Sequence, residues 1–104
     1  MSLAFAAIPI SIANIQVTPS EKSAVITWTT SVPTYARVNF GESADYDLFI
    51  EAGYSQRTDH RIELSNLKPE TMYHFNIVSK NTETSASTFD RTFETLEEGK
   101  TGQI

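Results

Sequence analysis

The stretch Leu67-Lys68-Pro69-Glu70-Thr71-Met72-Tyr73, which reads Leu-x-Pro-x-Thr-x-Tyr, stands between two runs of alternating apolar and polar residues. Pro69 holds φ near about −65° and has no N–H to give to a ladder, so the chain turns there. Before it, residues 58–64 place His60, Ile62 and Leu64 on one face; after it, residues 71–80 place Tyr73, Phe75 and Ile77 on one face. Alternation of period two is the mark of a half-buried strand. The stretch is therefore a reversal between two strands.

The same alternation continues outward in both directions. Ile8, Ile10 and Ile12, then Ile15 and Val17, form a first strand whose parity changes at Ala13-Asn14. A bulge on an edge strand explains the change, and an edge tolerates Pro9. Residues 18–22 have turn chemistry. In 23–30, Ala24, Ile26 and Trp28 share a face, with Trp28 as the natural centre of the core. After a loop holding Pro33, residues 35–40 turn Val38 and Phe40 inward and Arg37 and Asn39 outward, and Gly41 ends the run. Residues 41–45 are a turn, 46–52 a short strand with Leu48, Ile50 and Ala52 inward and Phe49 outward, and Gly53 opens a further connection. Residues 81–87 form a polar hairpin loop, and 89–96 return with Phe89 and Phe93 inward. The expectation is an all-β chain of seven strands.

One domain accommodates 104 residues, a length that buries roughly 60 to 65% of the unfolded surface without staples. No cysteine is present, which excludes thiol catalysis, cysteine-based zinc sites and disulfides. A net charge of −5 has the wrong sign for a phosphate backbone or an anionic bilayer, so neither nucleic acid nor membrane insertion is expected. The longest apolar run, residues 3–10, is far short of the ~20 residues that span a bilayer. Residues 1–7 read as an N-terminal tail or leader; Ala4-Phe5-Ala6 has the small-x-small form of a signal-peptidase site, and a packed first strand is the alternative. Residues 97–104 lose the alternation and read as a C-terminal linker.

Taken together, Trp28, Val38-x-Phe40, Leu67-x-Pro69-x-Thr71-x-Tyr73 and Phe93-x-Thr95 resemble a fibronectin type III domain over residues 8–96. The resemblance implies a seven-stranded immunoglobulin-like β-sandwich. It also makes the Leu67, Pro69, Thr71 and Tyr73 stretch a tyrosine corner, whose Tyr hydroxyl bonds back to main chain a few residues upstream. The finer pattern of Trp28-x-Thr30-x-x-Pro33, Val38-x-Phe40-Gly41 and His60-x-Ile62-x-Leu64-x-x-Leu67 is similar to the variant found beside catalytic domains. Examples are the N-terminal domain of purple acid phosphatases and modules of secreted microbial enzymes. That module is non-catalytic; the phosphatase Gly-Asp and Gly-Asn-His-Glu motifs have no counterpart in this sequence, and the integrin-binding Arg-Gly-Asp tripeptide is missing from residues 81–87. The resemblance implies an extracellular or cell-surface location.

Few residues invite chemistry. Asp59, His60 and His74 are the types a metal or general base would use, but His60 has the inward parity of Ile62 whereas His74 has the outward parity between Tyr73 and Phe75. A semi-buried His at a strand end and an exposed strand His are the reading. Asp45, Asp47 and Glu51 lack the Gly-punctuated loop of a calcium site. No catalytic residue, metal or cofactor is expected. Tyr46, Phe49 and Tyr54 are the candidate binding residues, because aromatics in an irregular polar segment mark recognition surfaces. The expected function is a non-catalytic module that spaces, orients or docks neighbouring domains of a larger protein, monomeric when isolated. The alternative is a module that binds carbohydrate or another protein through those aromatics.

Overall fold

Side-chain alternation becomes burial alternation along every long strand, which is what a pleated ribbon with one buried face requires. The computed structural model describes residues 8–99, and of Tyr54 the backbone. It contains six continuous strands: β1 (Ile12–Pro19), β2 (Ala24–Gly41), β3 (Leu48–Leu64), β4 (Met72–Lys80), β5 (Ser85–Ser87) and β6 (Arg91–Glu94). There is no helix among the described residues.

Two of these strands are long because each serves both layers of a sandwich. The first part of β2 pairs antiparallel with β1 on one side and with residues 59–64 of β3 on the other; its second part pairs with residues 48–52 of β3 and with β4. The β2–β3 register breaks between Thr29 and Thr34 and again before Ala36, where both strands cross from layer to layer. Pro33 lies in that break, and Gly53 crosses with φ +87°, a conformation open to glycine at little steric cost. The expected loop around Pro33 and the expected connection at Gly53 are thus bends within continuous strands. One layer holds β1 and a half of each long strand, and the other holds the remaining halves, β4 and the β5–β6 return. Counted by layer, these are the seven strands expected of the sandwich.

The core lies between the layers. Ala24, Ile26 and Trp28 from β2, Ile62 and Leu64 from β3, and Val38 and Phe40 from the second layer meet Tyr73, Phe75 and Ile77 of β4 and Phe93 of β6. The β1 bulge falls where the parity changed: the register shifts between Ala13 and Gln16, Asn14 has φ 57°, and its side-chain amide donates to Thr29 Oγ1 at 2.9 Å. Residues 8–10 precede β1 rather than extend it, and Ile8 is exposed.

At the corner, Leu67 and Tyr73 are buried and the Lys68 N–H donates to the Tyr73 hydroxyl at 2.8 Å. Glu70 takes φ 50° after Pro69, the order that a type II turn demands. Thr71 bonds from its hydroxyl to the Pro69 carbonyl and from its N–H to Thr95 Oγ1.

Two apolar residues are more exposed than expected. Phe89 is 96% exposed instead of inward. Ser87 stands opposite Val78 and Arg91 opposite Phe75, so four steps along the return strand match three along β4. One residue is extra, and an extra residue reverses the facing of everything beyond it. Phe93 therefore points inward while Phe89, on the bulge, does not. Leu48 has the inward phase of Ile50 and Ala52 but lies at the end of β3, over the rim of the core, and is 51% exposed.

Candidate functional site

The second layer presents a polar outer face built from the outward positions of β2, β3 and β4. Arg37 Nε donates to Asn39 Oδ1 at 2.9 Å, and the Asn39 amide donates to Asn76 Oδ1 at 3.0 Å. Arg37 also pairs with Glu51 at 3.3 Å, and its guanidinium lies 3.9 Å above the Phe49 ring. These bonds join three neighbouring strands in a lateral ladder. Beside it runs a shallow groove of about 460 Å³, with Tyr35 and Val78 on its apolar side and Arg37, Glu51 and Lys80 on its polar side.

At the other end of the same face, Asp90 takes two bonds. The Tyr46 hydroxyl donates to Oδ1 at 2.6 Å, and His74 Nδ1 meets Oδ2 at 2.7 Å. Partial burial, then the bond to Asp90, pushes the Tyr46 phenol up to about 12, and the bonds from Tyr46 and then His74 hold the Asp90 carboxyl below its ordinary value. Tyr46 has φ 50°, an outlier for a bulky residue, and the bond to Asp90 anchors it. Two residues before Asp90, Thr88 is tied on both sides of Ile77: its N–H donates to the Ile77 carbonyl and its hydroxyl accepts from the Ile77 N–H. Phe89 projects between these two anchored residues.

The candidate aromatics thus have separate surroundings. Tyr46 is half-buried and reaches across β4 to Asp90, Phe49 is half-exposed on β3 beneath Arg37, and the Tyr54 side chain lies outside the described residues. Asp90 and Phe89 were missed as surface features, since a bulge in a short edge strand leaves no mark in the alternation.

His60 and His74 are kept apart by the two layers. His60 is 8% exposed and lies within β3 rather than at a strand end, a correction to the semi-buried expectation. Its ring stacks on Trp28 with centroids 5.1 Å apart, and Nε2 meets the hydroxyls of Thr30 at 3.0 Å and Thr34 at 3.2 Å. Trp28 Nε1 donates to buried Ser79 Oγ at 3.0 Å. Burial pushes the His60 imidazole below its ordinary value. This is a satisfied polar seam inside the sandwich. His74 is half-buried and held by Asp90, not freely exposed. Among the described residues, no three His, Cys, Asp or Glu side chains group to hold a metal, and Glu51 is paired with Arg37 while Asp45 and Asp47 lie exposed in the turn before β3.

A sandwich whose two long strands change layer, closed by a tyrosine corner, can be compared with known families. The family model of the purple acid phosphatase N-terminal domain matches residues 11–95. The chain belongs to this family. Its solved structural neighbours include fibronectin type III domains, so this purple acid phosphatase N-terminal domain has the fibronectin type III-like sandwich. The fibronectin type III domain of human fibronectin type III domain containing protein 3 is 15% identical, with TM-score 0.66 over 93% of this chain and 94% of that one. A computationally redesigned β-sandwich protein is 28% identical, with TM-score 0.63 over 84% and 95%. The sensor domain of the anti-sigma factor RsgI4 in Pseudobacteroides cellulosolvens is 22% identical, with TM-score 0.59 over 92% and 99%. No curated protein matches the chain significantly. No helix among the described residues is long and apolar enough to cross a membrane.

Proposed function

We propose that this purple acid phosphatase N-terminal domain is a non-catalytic module that orients and docks a neighbouring domain of a longer secreted or cell-surface protein. The observation that carries the proposal is Phe89, 96% exposed on a bulge whose flanking residues, Thr88 and Asp90, are both anchored. An aromatic whose main chain is already fixed by its neighbours loses less conformational freedom on binding, which helps a single side chain to become an anchor. The family description, an N-terminal domain, supports a neighbour following in the same protein. Family resemblance likewise supports the extracellular location. The alternative, a carbohydrate or protein site at Tyr46, Phe49 and Tyr54, has less support, because the Tyr46 hydroxyl is bound to Asp90 and Arg37 lies over the Phe49 ring.

Calorimetry of the longer protein tests the reading. Phe89→Ser should leave the melting of the isolated domain unchanged and, in the longer protein, should separate this domain's unfolding from that of its neighbour. An unchanged calorimetric profile in the longer protein would remove Phe89 as the docking point.

A further inference from the structure

The first layer ends in an edge that carries a patterned set of charges. Residues 59–64 of β3 pair with β2 on one side, and among the described residues no strand pairs with the other side. Alternate N–H and C=O groups along that edge therefore face outward, a template for another strand. Asp59, Arg61 and Glu63 are exposed on its outer face, and exposed Arg57 precedes them where β3 crosses between the layers, so the signs run plus, minus, plus, minus. Across the sheet they meet no countercharge. Asp59, Arg61 and Glu63 stand opposite Thr29, Thr27 and Val25 of β2, which in turn stand opposite Ala13, Gln16 and Thr18 of β1. None of the four is in an ion pair among the described residues.

We infer that this edge is a self-association surface, on which a second copy of the chain pairs antiparallel about a two-fold axis at His60. In that register Asp59 stands opposite the second copy's Arg61 and Arg57 opposite its Glu63, and each contact occurs twice because the interface is isologous. All four pairs are of opposite sign. Sliding the register by two residues sets Arg61 against Arg61 or Asp59 against Asp59, and sliding it by one turns the buried face outward. The charge pattern thus selects one register and opposes its neighbours. Charges that only protect an edge repel a second copy; these attract it. The product is a continuous sheet running β1-β2-β3 into β3-β2-β1. This departs from the monomer expected from the sequence, where nothing marked residues 57–63 as an edge. The surface is in the layer opposite Phe89 and does not depend on the docking role.

Sedimentation equilibrium of the whole chain over a concentration series tests the inference, with circular dichroism melts to check that each variant folds. The wild type should form a dimer that weakens with added salt. R61E and D59R should each weaken it by about tenfold or more, since the symmetry converts two attractive contacts into two repulsive ones. The double variant D59R/R61E should recover the dimer, and an equimolar mixture of R61E with D59R should form a heterodimer. A wild type that stays monomeric up to about 1 mM, a dimer indifferent to both single variants, or a double variant as weak as the singles would each overturn the inference.

Discussion

The Tyr73 hydroxyl accepts the Lys68 N–H, and this one bond ties the corner to the strand that follows it. Tyr73→Phe keeps the buried ring but leaves that donor without its partner, at a cost of about 1 to 3 kcal/mol; a denaturant series in which the variant equals wild type would contradict the role. His60 acts through protonation instead. Its folded-state value lies below the ordinary 6.5 because burial disfavours the imidazolium. The unfolded chain therefore binds the proton more readily, so the stability tied to neutral His60 is complete above about pH 6.5 and is lost as pH falls from there toward the folded value. Melting temperatures measured from about pH 8 down to pH 5 should fall for wild type, and the decline should be shallower for His60→Gln. The inward parity of His60 was legible in the sequence. That Thr30, Thr34 and Ser79 would satisfy His60 and Trp28 was not, because those contacts join residues from three strands.

Single elements were read well where alternation ran unbroken and poorly where a bend or bulge reset it. The facing of β4 follows from Tyr73, Phe75 and Ile77 alone, and the β1 bulge from its parity change. The β5–β6 return gave the opposite result, since Phe89 and Phe93 keep a common parity across an inserted residue. Two substitutions separate the parts of that bulge. Thr88→Ala removes the acceptor of the Ile77 N–H and should cost about 1 to 3 kcal/mol, with faster hydrogen exchange at the Ile77 amide. Phe89→Ser, one residue along, removes only an exposed ring and should stay within about 0.5 kcal/mol of wild type. Equal losses at the two positions would mean that Phe89 packs in the native state.

Across the whole molecule the sequence offers no cysteine for a disulfide, and among the described residues no three His, Cys, Asp or Glu side chains group to hold a metal. Thermal unfolding should be a single cooperative transition, unchanged by dithiothreitol or EDTA; a melting temperature lowered by several degrees in EDTA would reveal a structural metal. The sequence by itself determined the class, the strand facings and the corner, because period-two burial and proline geometry are local properties of the chain. Pro33 and Gly53 looked like breaks between strands. Only the tertiary structure decided that β2 and β3 run through them and change layer, because either residue permits a loop or a bend until neighbouring strands supply hydrogen bonds on both sides of it. The same pairing decided which edge stays open. Arg57, Asp59, Arg61 and Glu63 alternate in sign along the chain, but which neighbours they lack is set by their pairing with Thr34, Thr29, Thr27 and Val25 of β2, each distant from them in the sequence.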